Sequence, residues 1–490
     1  MAFVILVGLY TSRVVLNALG VEDFGIYNVA GSVVAMFGFL NGALAISSSR
    51  FLTVEMGKKN SNLCHLIRCY TTTKGIHALL SIAIVVISET IGLWLLYNKC
   101  EIPEGRMNAA LWCYQISVAT AVLSINQVPY NSLVIAHENM TIYAYLGIAD
   151  VLMKLGICYL IVFSPFDNLI YYAILMLLIH CFFYVFYIEY CRKNYKECIW
   201  GYRLDKVFFR PILGFTGWNL LGSFSSMAMT QAANVMISFF FGPAIVAARA
   251  ISGQVRGHLT NFVNNFRTAV NPQVLKRYAA GEIANSKNLL MFSTNVSFYL
   301  MLLITAPLLL ETDFVLHFWL NNVPDYALGF TRITLLEVLF AVYDLSFYMI
   351  FQTTGRLREN AIICPIMDMV AFVIVYIVYK NGGDVLFIGW TLLALAVLQG
   401  MLVKPFLAII YLDYKWKDFL PIYLRNIIVL TITISLSFCA KQFVDNGETL
   451  QRLLSMCIAI FISLLCSYSL GFNCEDKNKV KLLIVGLLKK

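Results

Sequence analysis

Residues 10–60 read YTSRVVLNALGVEDFGIYNVAGSVVAMFGFLNGALAISSSRFLTVEMGKKN. Two apolar runs flank a tight LGVEDFG turn, and a basic patch closes the segment. Neither run carries the wide polar face of a helix that meets water, whereas a bilayer-spanning helix needs apolar surface all round. Part of the pattern returns about 222 residues later. Gly20 and Gly31 correspond to Gly242 and Gly253, Val33 to Val255, and Gly57 to Gly281 after a two-residue insertion. Both copies fall on the outer turn and second helix of a six-span set and run in the same direction. The chain therefore reads as a parallel repeat of two related halves.

Composition points the same way. Of 490 residues, 60% are hydrophobic and 13% charged, and the mean hydropathy is +0.76. Soluble domains carry about 25% charged residues, so lipid must replace water over most of this surface. The class is an all-α polytopic membrane protein. A net charge of +9 does not indicate nucleic acid here, because the basic residues collect in alternate loops, as the positive-inside rule describes. Thirteen cysteines form no CxxC or Cys/His metal spacing, so no metal site is expected. They read as free thiols, with Cys100 the one expected near the outer face. The chain starts almost inside its first helix, and Arg13 interrupts that apolar run, so a cleavable signal peptide is not expected.

At about 20 apolar residues per crossing, the chain holds about 14 transmembrane helices. A first six cover residues 3–19, 25–48, 76–97, 109–135, 142–163 and 169–190. A second six cover 211–241, 244–266, 289–310, 330–352, 361–379 and 385–411, and two more cover 419–440 and 450–471. The domains are then an N-terminal lobe (1–190), a basic linker (191–210), a C-terminal lobe (211–412), two further helices (413–472) and a basic tail (473–490). Arg50, Lys58, Arg68 and Lys74 fall in the second connection, and Arg192, Lys193, Lys196 and Arg203 in the sixth. The opposite loops hold few cations, so both termini are placed in the cytoplasm.

Charges inside spans are costly, at about 2.5–3.5 kcal/mol each near a helix centre, and they mark candidate sites. Arg249 and Arg256 are seven apart on one helix face, and Asn261, Asn264 and Asn265 extend that face toward Arg267. A basic, amide-rich face suits an anionic, hydroxyl-rich ligand, because guanidinium binds phosphate in bidentate fashion. Pairing of these arginines with Glu337 or Asp344 is the structural alternative. Arg13 lies as far before its outer turn as Arg249 lies after the matching one, and Arg50 closes the polar run Ser47–Ser48–Ser49 at the end of the second span. Asp150 and Lys154, four apart, are either a structural ion pair or groups for ion coupling, and Glu337 and Asp344, seven apart on one face, either balance Arg249 and Arg256 or bind a coupling proton or cation. No Walker loop, HExxH, nucleophile elbow or dinucleotide turn is present, and the chain reads as a transporter and not an enzyme. His137–Glu138 is the nearest approach to an acid/base pair.

The segments SRVVLNALGVEDFGIYNVAGSV and SSSRFLTVEMGKKN resemble bacterial polysaccharide-biosynthesis membrane proteins (Wzx-like flippases). These belong to the MATE-like multidrug/oligosaccharidyl-lipid/polysaccharide exporter superfamily. GFTGWNLLGSFSSMAMTQAANVMISFFFGPAIVAARAISGQV and NPQVLKRYAAGE look like the counterpart in the second lobe. The resemblance implies two six-helix lobes in a V around a central cavity, plus two C-terminal helices. It implies a flippase of the bacterial inner membrane that moves an undecaprenyl-pyrophosphate-linked oligosaccharide for O-antigen, capsule or exopolysaccharide by alternating access. Arg13, Arg50, Arg249, Arg256 and Arg267 match the family's cationic cavity residues by position and chemistry. The partners implied are the lipid-linked glycan, membrane lipids and other polysaccharide-assembly membrane proteins, with no cofactor beyond a coupling proton or sodium ion. A cation-coupled multidrug exporter of the same fold is the alternative, and a polytopic polymerase or glycosyltransferase a more distant one.

Overall fold

The computed structural model describes residues 38–58, 62–98, 105–162, 167–320, 323–444, 448–473 and 476–477. Among these residues the chain forms 14 helices and no strand. Ten of the helices are long and apolar enough to cross a membrane. The expected all-α polytopic class is borne out. The first span, the LGVEDFG turn and Cys100 lie outside the described residues.

The chain divides into two compact units, residues 1–224 with 275–281, and residues 225–274 with 282–490. The first contains α1 (Gly38–Gly57), α2 (Leu63–Asn98), α3 (Met107–Ala136), α4 (Met140–Val162) and α5 (Asn168–Asn194). It also takes the first half of α6 (Lys206–Phe241) and the last turns of α7 (Pro243–Ala279). Helix α3 is its axis and packs against α5, α1 and α2. The core there is aromatic and aliphatic, built on Tyr70, Tyr130, Leu133, Phe183 and Tyr187. Outward positions such as Ile82 and Phe182 are apolar and exposed, as acyl chains require.

Several boundaries differ from the sequence reading, each for a local reason. Helix α1 does not stop at Ser48. Phe51–Met56 continues the helix, and Gly57 sits where a Cβ would lie 2.6 Å from the Lys276 Cα. The polar run Ser47–Arg50 therefore lies inside a helix. Helix α2 begins at Leu63, well before the expected residue 76, because Asn62 caps it by accepting a hydrogen bond from the Cys64 amide at 3.0 Å. Arg68 and Lys74 are helical as a result, and Lys74 is buried at 7% exposure. Loop residues cover it: the Lys74 Nζ approaches the Ile199 carbonyl at 3.5 Å and the Tyr202 ring at 5.1 Å.

The second unit holds the remainder of α6 and α7. It continues with α8 (Ile283–Leu310), α10 (Ala327–Thr354), α11 (Arg358–Lys380), α12 (Phe387–Tyr411), α13 (Trp416–Val444) and α14 (Thr449–Gly471). A short α9 (Thr312–Trp319) lies between α8 and α10. Helices α8 and α10 are its most enclosed spans, each with 61% of its apolar window buried. Helices α6 and α7, at 36 and 37 residues, are about 55 Å long at about 1.5 Å per residue. They exceed the bilayer's roughly 40–45 Å. Neither is among the ten apolar spans, because both carry polar stripes.

Helix α12 contains a π-helical turn, Leu398–Val403. Gly400 in that turn lies where a Cβ would meet the Asp344 amide nitrogen at 2.8 Å and the Tyr343 Cβ at 3.1 Å. Only glycine permits α12 to approach α10 this closely. Replacing Gly400 with Ala is expected to cost about 1–3 kcal/mol by overpacking, seen as a lowered thermal unfolding midpoint in detergent. Gly147→Ala is the control, since its Cβ would meet nothing within 4 Å. Equal midpoints for the two variants would show that the close approach does not constrain the fold.

Candidate functional site

Helix α7 carries Arg249, Arg256 and Arg267. At about 100° per residue, steps of seven and eleven return all three to one stripe, and Arg249 and Arg267 share an azimuth after about five turns. The sequence places a continuous cationic line along a helix otherwise rich in Ala, Val and Asn. The structure gives each arginine a different fate.

Arg249 Nη1 donates to the Asn234 side-chain oxygen and to the Thr230 carbonyl at 3.4 Å, both on α6. Its direct partners are neutral oxygens. Arg256 forms an ion pair with Glu337 of α10 at 3.0 Å, and the Glu337 side chain is only 5% exposed. The Glu337 carboxylate acts electrostatically on both arginines. The Arg249–Arg256–Glu337 group therefore keeps one positive charge in excess. Arg267 donates to the Leu345 carbonyl on α10 and lies within electrostatic reach of Asp344. Around the arginines, Ala233, Met236, Ile237 and Ala248 pack with Phe330, Val375 and Tyr379, so the stripe is set against an apolar cluster. Asn261 is exposed and Asn264 half-buried on the same helix.

Asp344 is held from the other side by α12. The Lys404 ammonium lies 2.5 Å from its carboxylate and 2.9 Å from its carbonyl oxygen, over the Tyr348 ring at 5.2 Å. On α11, Asp368 accepts a hydrogen bond from the Gln399 amide at 2.8 Å. Gln399 lies in the π turn and Lys404 directly follows it, so this irregular turn places both side chains toward acids on neighbouring helices.

In the first unit, the Arg50 guanidinium lies 4.9 Å and 4.7 Å from the ring centroids of Phe51 and Phe215. Beside it runs a buried polar track. Thr216 donates to Ser47 at 2.7 Å, Ser48 contacts His77 at 3.3 Å, and Asn126 donates to Ser81 at 2.8 Å. Asp150 and Lys154 form an i,i+4 ion pair at 2.7 Å on α4, with each side chain 32% exposed. Arg13 lies outside the described residues. The site residues read from the sequence thus form a group on α7 and α10 in the second unit, and separate places on α1 and α4 in the first.

Solved structures with similar folds are MATE transporters. A MATE in complex with MaD3S matches with a TM-score of 0.69 at 12% identity, over 81% of this chain and 90% of that one. The transporter ClbM in complex with Rb+ matches at 0.65 and 15% identity, over 85% and 94%. A MOP superfamily transporter from Pyrococcus furiosus, reported with a binding pocket of reverse polarity, matches at 0.64 and 12%, over 88% and 95%. The fold is that of the MATE transporters. No family model and no curated relative matches the sequence, so the likeness is one of fold.

Within this MATE fold, sequence reading missed the Asp368–Gln399 pair and the Lys74 cluster. Gln399 gave no signal because a lone amide in an apolar run is inconspicuous. Lys74 reads as a loop cation because the capping side chain of Asn62, which starts α2 earlier, leaves no periodic signal in the sequence.

The pair His137–Glu138 turns out to be two separate anchors. His137 pairs with Glu197 of the loop following α5, and Glu138 with Lys276 at 2.7 Å. The His137 ring also stacks on Tyr195 at 4.1 Å.

Two predictions follow from these partners. Arg256→Ala leaves Glu337 buried without its cation, a change that costs about 3–5 kcal/mol in fully buried pairs. The exposed flank of Arg256 puts the cost toward the lower end. The double variant Arg256→Ala/Glu337→Gln should recover much of that loss in thermal unfolding, and no recovery would mean the two side chains do not depend on each other. The second concerns pH. Burial raises the Glu197 pKa, but the hydrogen bond from His137, the residue's own backbone amide and the His137 charge outweigh it, and the net shift is downward. The Cys191 and Cys198 thiols are its other titratable neighbours. A lowered acid pKa stabilises the fold above the unfolded carboxylate range, near about pH 4.3, and that contribution is lost as pH falls through the folded value. Glu197→Gln should therefore be less stable than the parent at neutral pH, with the gap closing on acidification. A gap independent of pH would exclude this role.

Proposed function

We propose that the chain is a flippase that carries an anionic, lipid-linked oligosaccharide across the bacterial cytoplasmic membrane. The observation that carries this reading is Arg249. It is a guanidinium in a predominantly apolar chain, bound by the neutral oxygens of Asn234 and Thr230, with Glu337 directly engaged by Arg256 instead. Such a cation retains its charge for a transient anionic partner, and a guanidinium suits the oxygens of a pyrophosphate. Asn261 and Asn264 on the same helix offer amide donors and acceptors of the kind sugar hydroxyls use. The Arg256–Glu337 pair limits the local excess to one positive charge, which favours binding that remains reversible during a transport cycle.

A drug exporter of the same fold is the second reading, since one similar structure is a multidrug resistance MATE family transporter. Cationic drugs would meet repulsion from Arg249 and Arg256. The Pyrococcus furiosus transporter with reversed pocket polarity, for which a different function is suggested, supports reading pocket charge as a guide to cargo within this fold.

The test is translocation of a fluorescent lipid-linked oligosaccharide in proteoliposomes. Arg249→Ala should reduce the rate at least about tenfold, in keeping with loss of a charge-assisted contact worth on the order of 1.5–3 kcal/mol. Arg249→Lys should recover only part, since an ammonium lacks the planar fork. Unchanged glycan movement in Arg249→Ala, together with efflux of a cationic dye by the parent, would replace the flippase reading with the drug-exporter one.

A further inference from the structure

Helix α5 shows an exposed apolar stripe, Leu178, Phe182, Val185 and Phe186, at exposures of 37–57%. These positions recur at helical spacing on one face, which in a bilayer meets acyl chains. The stripe does not end with the apolar run. Continuing at the same spacing, Glu189, Arg192 and Lys193 occupy that face at the end of the helix, and all three are exposed. There they line an open cleft of about 590 Å³ with Lys196 and Trp200 of the following loop.

The cleft has three features of a headgroup site. Its cations are Arg192, Lys193 and Lys196 against the single carboxylate of Glu189, so its lining is basic. Trp200 is 74% exposed and Ile199 42% exposed, which places large apolar surface beside those cations. The Arg192 guanidinium lies 4.8 Å from the Trp200 ring centroid, fixing an indole and a cation side by side. Tryptophan favours the membrane–water interface, where one part of the ring meets acyl chains and another meets headgroups. Juxtamembrane Lys and Arg attract anionic lipid. The lipid-facing stripe of α5 leads an acyl chain directly to the cleft, and an acyl chain is what a soluble phosphate lacks.

We infer that the cleft formed by Arg192, Lys193, Lys196 and Trp200 is a binding site for the phosphate headgroup of an anionic membrane lipid, separate from the arginines of α7. The lipid would seat its phosphate among the three cations and its glycerol region against Trp200, pinning the loop between α5 and α6 to the membrane surface. The inference is independent of cargo and stands or falls without the flippase reading.

The full chain is reconstituted in phosphatidylcholine vesicles that contain a small fraction of either brominated phosphatidylglycerol or brominated phosphatidylcholine, with no glycan lipid. Trp200 emission is isolated by subtracting the spectrum of Trp200→Phe from that of the parent. Brominated phosphatidylglycerol is expected to quench Trp200 at a mole fraction at least about threefold lower than brominated phosphatidylcholine. The Arg192→Ala/Lys193→Ala/Lys196→Ala variant, with its own Trp200→Phe partner, should quench equally with both lipids while keeping the parent's ellipticity. Raising salt from about 0.1 M to about 0.5 M should shrink the parent's preference through screening, a readout that does not depend on the triple variant. Equal quenching by the two lipids in the parent, or a preference indifferent to salt and to loss of the three cations, overturns the proposal. Loss of the preference on adding millimolar inorganic pyrophosphate without added salt effect overturns the lipid assignment and makes the cleft a soluble-anion site.

Discussion

An ionisable side chain in a bilayer-spanning helix must find its partners within the protein, because lipid offers none. The second unit is arranged around that constraint. Arg256 of α7 reaches Glu337 of α10, Arg267 reaches the backbone of Leu345 on the same helix, and Lys404 of α12 reaches Asp344 from the other side. Helix α10 thus receives cations from two neighbours. It is also one of the two most enclosed spans, and its Glu337 carboxylate is nearly fully buried. Remove the acids of α10 and α7 would present three arginines to an apolar neighbour.

The same constraint explains the irregular turn of α12. A regular α-helix keeps side chains on fixed azimuths, and Gln399 and Lys404, five residues apart, would then differ by about 140°. The π turn at Leu398–Val403 widens the helix between them and lets Gln399 meet Asp368 while Lys404 meets Asp344. Gly400 at the centre of that turn removes the Cβ that would strike the Asp344 amide. Backbone irregularity, a glycine and two polar contacts are parts of one local solution.

Much of this was legible in the sequence where a single periodic rule sufficed. Apolar runs of bilayer length marked most spans, and the seven-residue step from Arg249 to Arg256 marked the basic stripe. What escaped reading depended on contacts between distant residues or on caps. The start of α2 turns on one Asn62 side chain, so Lys74 passed as a loop cation. The continuation of α1 to Gly57 depends on a backbone packed within van der Waals distance of Lys276, which no local pattern encodes. Whether Arg256 lines a cavity or pairs with an acid was open in the sequence, because Glu337 is 81 residues away. The partner of Arg249 is hidden for a subtler reason: Asn234 is one of several polar residues on α6, and nothing local marks it as the acceptor for that guanidinium.

The contrast between Arg249 and Arg256 shows how one helix turns a repeated residue into two different instruments. A guanidinium locked to a buried carboxylate contributes chiefly to holding α7 against α10, since separating the pair exposes a desolvated acid. A guanidinium held by an amide and a carbonyl is positioned by its hydrogen bonds but keeps its net charge. Neutral acceptors orient without neutralising. Moving Glu337 by one turn toward Arg249 would exchange the two roles without altering the sequence of α7. The property that distinguishes them therefore resides in α10 and α6, and a stripe of identical arginines carries function only through the unequal partners that its neighbours supply.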